Sequence, residues 1–234
     1  MQAPPYQLKP SIRSWLGDIQ PAWTLLDPAT LSSLYSQPSP SGRPITLAKD
    51  FSIEEIGQSA VARNALMLLS AASRGQGLKL TATGNLTRKV VAEMFEVFTW
   101  PGLDKADLLR YHKVLNEPDF LPLYFVRHLL ETAGLVHQNN NFLTISPNGF
   151  FVLQGPTRHA FQALLFHVAF WLFDLNYFGR GLPDDWPQRD IGVVLWSLSV
   201  STSQWCTPEY LSKSCTIPTE DIIAAPRDIA TYAM

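Results

Sequence analysis

The chain has 234 residues, of which 46% are hydrophobic, 12% are aromatic and only 16% are charged. This composition excludes an intrinsically disordered protein, and the length is enough to bury the core of one large domain or of two smaller ones. The formal net charge of −2 argues against bulk affinity for nucleic acid.

The cysteines, the N-terminus and the most apolar stretch indicate where the protein works. Cys206 and Cys215 are the only cysteines and form no CxxC pair, which fits a reducing compartment and predicts neither a disulfide framework nor a zinc site. The N-terminus lacks the basic start and apolar run of a signal peptide. Residues 160–175 are too short and too often interrupted by polar side chains to cross a membrane. We therefore expect a cytoplasmic protein with no membrane segment.

Residues 1–50 are rich in proline, serine and glutamine and also carry Trp15 and Trp23. A freely disordered tail does not usually contain two tryptophans, so this segment is predicted to be an arm with one or two short helices that packs on the body. Ser52 and Glu55 then have the spacing of a capping box, which predicts the start of a helix.

Helical periodicity continues through the middle of the chain. The predicted helices comprise residues 62–72, 86–98, 104–115 and 121–133. A short strand is expected around Leu78 and Leu80, between the first two of them. In the third helix, Leu108, Leu109 and Tyr111 are expected to face inward.

The last of these helices leads into a β-hairpin. Gly134 stands where a helix C-cap glycine belongs. Leu135-Val136 and residues 142–145 are the predicted strands, with the asparagine-rich residues 137–141 as the turn between them. Residues 146–149 then break the second strand. A helix followed by a small hairpin is the ending of a winged helix.

Two phrases carry a resemblance to known proteins. Ala133 to Val136, a variable tip, Leu143-Thr144 and Gly149 form a pattern that resembles many bacterial winged-helix proteins. Residues 77–86 are similar to a phrase in uncharacterised bacterial proteins with winged-helix-like (winged helix-turn-helix) repeats, and the whole resemblance covers residues 62–153. It implies a fold and no catalytic residue, because winged helices serve DNA binding, RNA binding and protein docking alike.

From these elements we predict a mainly α fold with small β-hairpins, winged-helix-like units and a helical C-terminal region. The predicted domains are a proline-rich N-terminal arm (1–50), a winged-helix-like domain with an internal half-repeat (51–155) and a helical region (156–234) that ends abruptly, as a truncated chain would. Residues 157–176 are expected to form one long helix, apolar nearly all round, in the centre of the core.

Basic residues are concentrated in one part of the chain. Residues 62–113 hold eight bases and four acids, whereas the chain from Val114 onward holds six bases and eleven acids. A phosphate-facing surface and a solvated helical face are the two interpretations. The candidate nucleic-acid-binding residues are Arg74, Lys79, Arg88, Lys89, Lys105, Arg110 and Lys113.

Helix 121–133 offers little for reading bases. A reading helix presents Arg, Lys, Asn or Gln on its outer face. This one carries only Arg127, His128, Glu131 and Thr132 at outward positions. The composition favours packing or protein docking over base recognition.

No catalytic constellation is found in the sequence. His159, His167 and Asp174 share one side of their predicted helix only loosely, and none of their spacings is the i, i+4 pair of a helical metal site. Asp184-Asp185 and Asp190 lie beside prolines and are interpreted as turn and cap residues. We expect no enzymatic activity, no metal and no cofactor.

Apolar residues near the C-terminus predict association. Ile222, Ile223, Ile229 and Tyr232 belong to a segment too short to persist as an isolated helix. Leaving several apolar side chains exposed is unfavourable, so residues 190–234 are predicted to pack against another chain, a second copy or the rest of a longer protein.

Two hypotheses of function follow. The first is a non-enzymatic, winged-helix-like interaction or adaptor module of a bacterial-type intracellular protein, with a protein partner or self-association. The alternative is a nucleic-acid-binding regulator that uses the basic segment 74–113.

Overall fold

The computed structural model describes residues 6–35, 45–48, 50–155, 158–175 and 188–224. The chain divides into two compact units: residues 48–173 form the larger one, and residues 1–47 with 174–234 form the smaller one. The division differs from the predicted boundary at 155/156, because the segment after it adds its apolar face to the core of the larger unit. Phe161, Leu165 and Val168 are each 1% exposed in that core.

The described part of the chain is mainly helical, with one small sheet. Its α-helices are α1 Pro10–Leu16, α2 Pro28–Leu34, α3 Ile53–Gln58, α4 Ala60–Ala72, α5 Arg88–Val97, α6 Lys105–Tyr111, α7 Leu121–Thr132, α8 Pro147–Gln154, α9 Phe161–His167, α10 Ile191–Ser201, α11 Pro208–Cys215 and α12 Glu220–Ala224. Its strands are β1 Leu78–Lys79, β2 Val136–Asn139 and β3 Phe142–Ile145. The prediction of a mainly α fold with a small hairpin is confirmed. No described helix has the length and apolarity needed to cross a membrane.

Side-chain caps start several of these helices. The predicted capping box opens α3: the Glu55 N–H donates to Oγ of Ser52 at 3.2 Å, and the Ser52 N–H donates to Oε2 of Glu55 at 2.8 Å. Asp27 and Asp104 accept in the same way at the starts of α2 and α6. Each cap satisfies N–H groups that have no partner inside the helix, which is why these starts could be read from the sequence.

The three strands form one antiparallel sheet in the order β1-β3-β2. Residues 137–139, predicted to lie in the turn, belong to β2 and pair with β3. The turn is reduced to Asn140-Asn141, where Asn140 adopts a left-handed φ of 52°. Asparagine tolerates this conformation. The polar residues 137–139 belong to the strand because they pair with β3 through the hydrogen bonds of the antiparallel ladder.

Strand β1 joins the sheet that the hairpin forms. Leu78 pairs with Leu143 and Lys79 pairs with Phe142, so the strand after α4 lies in the same sheet as the hairpin. Helix α4 packs against α7 in that unit. Among the described residues, strand β1 therefore completes one three-stranded sheet with the hairpin.

The core of the larger unit lies between α4, α5, α7, the sheet and α9. Phe120, just before α7, contacts Phe95 and Phe98 with ring centroids 5.2 and 5.8 Å apart. Not every predicted inward residue reaches this core. Leu109 and Tyr111 on α6 are 48% and 79% exposed, because α6 has only seven residues and none of them is buried.

The helix predicted over residues 157–176 is interrupted. Its described part consists of a 3₁₀ turn (Arg158–Ala160), α9 and a π-helical turn (Val168–Leu172). Residues 157 and 176 lie outside the described part. The change of helical type keeps Val168 and Ala169 buried while the segment bends along the core.

The smaller unit joins the N-terminal segment to the C-terminal helices. Trp23, Leu34 and Val193 form its buried cluster, and Nε1 of Trp23 donates to the carbonyl of Thr216 at 3.1 Å. Gly192 lets α10 approach the end of α2, since a Cβ at this position would collide with the Leu34 carbonyl. The part of the predicted C-terminal segment that holds Ile229 and Tyr232 falls outside the described residues.

Candidate functional site

The structure buries the arginine of α7. Arg127 is 2% exposed, and its Nη1 donates to Oε2 of Glu117 at 2.8 Å while its Nη2 donates to Oε1 of Glu131 at 3.1 Å. A guanidinium removed from water needs charged acceptors, and these two carboxylates supply them. The charge of Arg127 is therefore used inside the fold and does not face a ligand.

The same carboxylates connect α7 to its neighbours. Oε2 of Glu117 also accepts the backbone N–H of Leu86, shortly before α5. Oε1 of Glu131 also accepts from Nε2 of Gln138 in β2, at 3.3 Å. This Glu117–Arg127–Glu131 network ties the approach to α5, helix α7 and the hairpin into one frame.

The two carboxyl groups of the network titrate differently. Burial raises the pKa of Glu117, although the charge of Arg127 opposes the shift. Burial acts in the same sense on Glu131, but hydrogen bonding by His128 and the charge of Arg127 outweigh it and lower the pKa of Glu131. One guanidinium thus serves two carboxylates, and the pKa of the more deeply buried one is raised while that of the other is lowered. Oε1 of Glu117 has no hydrogen-bond partner among the described residues.

The seven candidate basic residues do not form one surface. Arg88 and Lys89 start α5, whereas Lys105 sits at its opposite end, where Nζ donates to the Glu96 carbonyl at 3.0 Å and lies 5.1 Å from the centroid of the Phe95 ring. The ten residues of α5 separate these sites by about 15 Å.

The other four candidate residues are scattered as well. Arg110 forms an ion pair with Asp107 at 2.9 Å, Lys79 and Lys113 are exposed in β1 and after α6, and Arg74 follows α4. The structure therefore places Arg88 and Lys89 at one cleft and disperses the rest.

A cleft of about 680 Å³ lies at the start of α5 and is termed the Arg88 cleft. Its lining residues are Thr81, Thr83, Asn85, Leu86, Thr87, Arg88, Lys89, Asn116, Glu117, Pro118 and Asp119. Thr87 makes no side-chain cap, so the first N–H groups of α5 lack a side-chain acceptor there. Nε of Arg88 already donates to Oδ1 of Asn116 at 3.0 Å. Of the two acidic residues in the lining, Glu117 is already paired with Arg127, so Asp119 is the one that offsets part of the positive charge.

A second cleft, of about 720 Å³, lies along α4 and is termed the Arg74 cleft. Its lining residues are Ile53, Ile56, Gly57, Arg63, Leu66, Met67, Ser70, Ala71, Arg74, Met94, Val97, Leu153 and Arg158. The floor is apolar, and among the described residues that line it the three arginines are the only charged ones.

The three arginines of the Arg74 cleft differ in what they already bind. Arg63 is a structural clamp: its Nε donates to Oγ1 of Thr99 at 3.0 Å and its Nη1 to the Gly57 carbonyl at 2.8 Å. Arg74 makes a long contact of 3.5 Å to Oγ of Ser70. Arg158 donates from Nη2 to a backbone carbonyl. None of the three forms an ion pair with a described acidic residue.

The residues considered for metal binding are not brought together. Within the described ranges, no group of three or more His, Cys, Asp or Glu side chains is arranged to hold a metal ion. His159 is exposed, and His167 stacks on Trp171 with ring centroids 5.7 Å apart. Asp190 is buried and paired with Arg189 at 2.7 Å, while Asp184-Asp185 lie outside the described residues.

The cysteines and the candidate partner residues belong to the smaller unit. Burial raises the pKa of the Cys215 thiol, against an opposing hydrogen bond from Ser214. Ile222 and Ile223 lie half-buried on α12. Ile229 and Tyr232 fall outside the described residues, so the predicted docking of the C-terminal segment stays a prediction.

Comparisons with known proteins find a match within the larger unit. Residues 57–158 match the family described as the Y4jL N-terminal domain. The chain is also 36% identical over 91 residues to the uncharacterized protein y4jL of Sinorhizobium fredii (strain NBRC 101917 / NGR234). That match covers 39% of this chain and 41% of the relative, so the chain spans less than half the length of this relative. No solved structure matches the chain.

The matched region contains the whole Arg88 cleft and all of the Arg74 cleft except Ile53 and Ile56. Sequence reasoning did not find the Arg74 cleft. Its signal was a second stripe on α4, at residues 63, 66, 67, 70 and 71, followed by Arg74, beside the buried stripe that holds Ala65, Leu68 and Leu69. Helical spacing in the sequence reveals both stripes, but only the packing of the folded chain determines which stripe stays exposed to solvent.

Proposed function

We propose that residues 48–173 form a winged-helix-like module whose role is non-enzymatic interaction with another protein. The order α4-β1-α5-α6-α7-β2-β3, with sheet order β1-β3-β2, supports the winged-helix arrangement of helices followed by a hairpin. In this arrangement α4, α5 and α7 are the three helices of the winged helix, and α6 is an additional helix between α5 and α7.

The observation that carries the proposal is the burial of Arg127 between Glu117 and Glu131. The helix that would read a DNA groove is left without an exposed base. Its outward positions hold an exposed Leu121, 58% accessible, beside partly exposed aromatic and acidic residues. Such a surface suits protein contacts, whose buried centre is enriched in aromatic side chains and poor in charged ones.

Two parallel selections on the purified chain test this proposal. A random-peptide display library and a pool of random duplex DNA and single-stranded RNA are each passed over the immobilised protein at low salt, where electrostatic binding to phosphates is strongest. We expect specific peptides to be enriched and nucleic acid to be recovered at background. Enrichment of nucleic acid without enrichment of peptides would overturn the proposal.

A second candidate function, a nucleic-acid-binding regulator, is favoured by one specific feature. Arg88 and Lys89 lie together at the first turn of α5, whose N–H groups lack a side-chain cap, and helix starts attract phosphate. Asp119 in the same lining weakens this attraction, and Nε of Arg88 already donates to Asn116, which is why we rank the candidate second.

A further inference from the structure

We propose that the Arg74 cleft binds an amphipathic helix of a partner protein, whose apolar residues are flanked by aspartate or glutamate. The inference rests on the proposed interaction function and adds the chemical class of the partner and the surface that receives it.

The shape of the cleft fits a helix. Along α4, residues 63, 66, 67, 70 and 71 follow helical spacing and form one stripe of about 12 Å, or a little over two turns, and Arg74 lies just past the end of the helix. Met94 and Val97, three residues apart on α5, form one wall, and α3 forms part of the rim. A groove between helices of this length receives the apolar positions i, i+3, i+4 and i+7 of a docked helix.

The apolar floor has surface still to bury. Ile53 at the rim is 72% exposed and Val97 is 46% exposed, while Leu66, Met67 and Leu153 are only partly buried against the core. A contiguous apolar surface that is bordered by charged groups is typical of an interaction site. A docked helix would remove these side chains from water, which is the main favourable contribution to association.

The positive charges of the cleft indicate that the partner is negatively charged. Arg63, Arg74 and Arg158 bring three positive charges, and none of the described lining residues is acidic. Arg74 is the most available of them, since its described hydrogen bond to Ser70 is 3.5 Å long. Nε of Arg158 is buried and has no hydrogen-bond partner among the described residues. Guanidinium groups bind carboxylates through paired N–H donors, so acidic flanks on the docked helix complement this rim.

The alternative occupants fit less well. A nucleic acid would meet the arginines but would place its charged backbone over leucine, isoleucine and methionine side chains. A basic helix would bury the same apolar surface against like charges, which is unfavourable. The combination of an apolar floor with an uncompensated arginine rim therefore favours an acidic amphipathic helix.

The test uses the full chain and two fluorescein-labelled synthetic peptides. Both peptides are amphipathic helices with leucine at i, i+3, i+4 and i+7. One carries glutamate at the flanking positions and the other carries lysine at the same positions. Binding is measured by fluorescence anisotropy for the wild type, Arg74→Glu, Arg74→Lys, Ile53→Ser and Lys113→Glu. Lys113→Glu is the matched control, because it makes the same charge change at an exposed site outside the cleft.

We expect the glutamate peptide to bind the wild type and the lysine peptide to bind at least about tenfold more weakly. Arg74→Glu and Ile53→Ser should each weaken the glutamate peptide by about tenfold or more, whereas Arg74→Lys and Lys113→Glu should change it by less than about threefold. Arg74 and Ile53 are exposed, so these variants should keep the wild-type circular dichroism spectrum and melting temperature.

Several outcomes would overturn the inference and leave the interaction function standing. One is a set of library-selected peptides that bind wild type and Arg74→Glu equally. Another is equal binding of the glutamate and lysine peptides. A third is a wild-type dimer that Arg74→Glu dissociates in light scattering, since the occupant would then be a second copy. Failure of the display library to enrich any peptide would instead reject the interaction function itself.

Discussion

Oε2 of Glu117 lies 2.8 Å from Nη1 of Arg127, and both side chains are sealed from solvent, at 0% and 2% exposure. A buried pair of this kind adds little over a well-packed apolar pair, but removing one partner leaves an uncompensated charge in the core. We therefore expect Arg127→Met to lower the free energy of unfolding by about 3–5 kcal/mol, measured by urea denaturation.

The double variant Glu117→Gln with Arg127→Met is the control for this prediction. Glutamine is neutral and still offers an oxygen to the N–H of Leu86. The double variant should be more stable than Arg127→Met alone by about 1–3 kcal/mol. A double variant that is less stable than the single one would show that the pair itself, and not the uncompensated charge, accounts for the loss.

The pH dependence of stability should differ between the two glutamates of the network. The pKa of Glu117 is raised in the folded state, so its contribution is full at low pH and is lost as pH rises above the ordinary glutamate pKa of about 4.3 and through the folded pKa. The pKa of Glu131 is lowered, so its contribution is present above about pH 4.3 and is lost as pH falls below that value.

Glu117→Gln and Glu131→Gln separate these two effects. Between pH 4 and pH 7, the stability of Glu117→Gln relative to the wild type should rise with pH. The stability of Glu131→Gln relative to the wild type should fall as pH rises from about 2.5 to about 4.5. Parallel curves for the two variants, measured by urea denaturation across this range, would contradict the opposite pKa shifts of Glu117 and Glu131.

Gly149 provides a prediction about packing. The sequence suggested a strand-breaking turn here, but Gly149 lies in the first turn of α8, where a Cβ would collide with the Leu135 carbonyl and with Ile145. Gly149→Ala should destabilise the chain by about 1–3 kcal/mol despite the better helix propensity of alanine. Gly57→Ala in α3 is the matched control: its Cβ meets open space, so it should be neutral or stabilising by up to about 1 kcal/mol.

Gly134 tests the end of α7 through backbone conformation alone. Its φ is +66°, as its predicted role as a C-cap requires, and a Cβ there would touch nothing within 4 Å. Gly134→Val should lower the free energy of unfolding by about 1 kcal/mol or more, because a β-branched residue resists a positive φ. Wild-type stability in thermal unfolding would contradict this account of the helix end.

The nucleic-acid alternative leads to a separate charge-reversal experiment. If it holds, Arg88→Glu with Lys89→Glu should weaken binding to all sequences alike and lower the slope of log affinity against log salt by about two, since both residues would contact phosphates. Arg110→Glu, at an ion-paired site on α6, is the control and should leave the slope unchanged. A wild-type chain without measurable affinity for DNA or RNA at low salt in a mobility-shift assay eliminates this function.

Features encoded by neighbouring residues were predictable from the sequence. The capping box of Ser52 and Glu55, the C-cap at Gly134 and the helix before the hairpin all depend on contacts within a few positions. Local hydrogen bonding decides these elements, so pattern and spacing are enough to find them.

Features that depend on distant partners were not predictable. The sequence pattern predicts that Arg127 is an exposed base on an amphipathic helix. In the structure it is buried and paired with Glu117, ten positions earlier. The pairing of Leu78 with Leu143 joins residues far apart in the chain, and the exposure of Tyr111 follows from the absence of a described neighbour that covers it. The Arg74 cleft was missed for the same reason, since an open helical stripe and a covered one have the same spacing.

The side chain of Trp23 donates to the carbonyl of Thr216, 193 positions later. During synthesis on the ribosome, at about 5–20 residues per second, Trp23 must wait about 10–40 s for that acceptor to be made. Residues 48–173 are complete well before then and can fold first. Trp23 and Leu34 thus stay without their C-terminal partners until most of the chain has been made, and their apolar side chains are open to aggregation during that time.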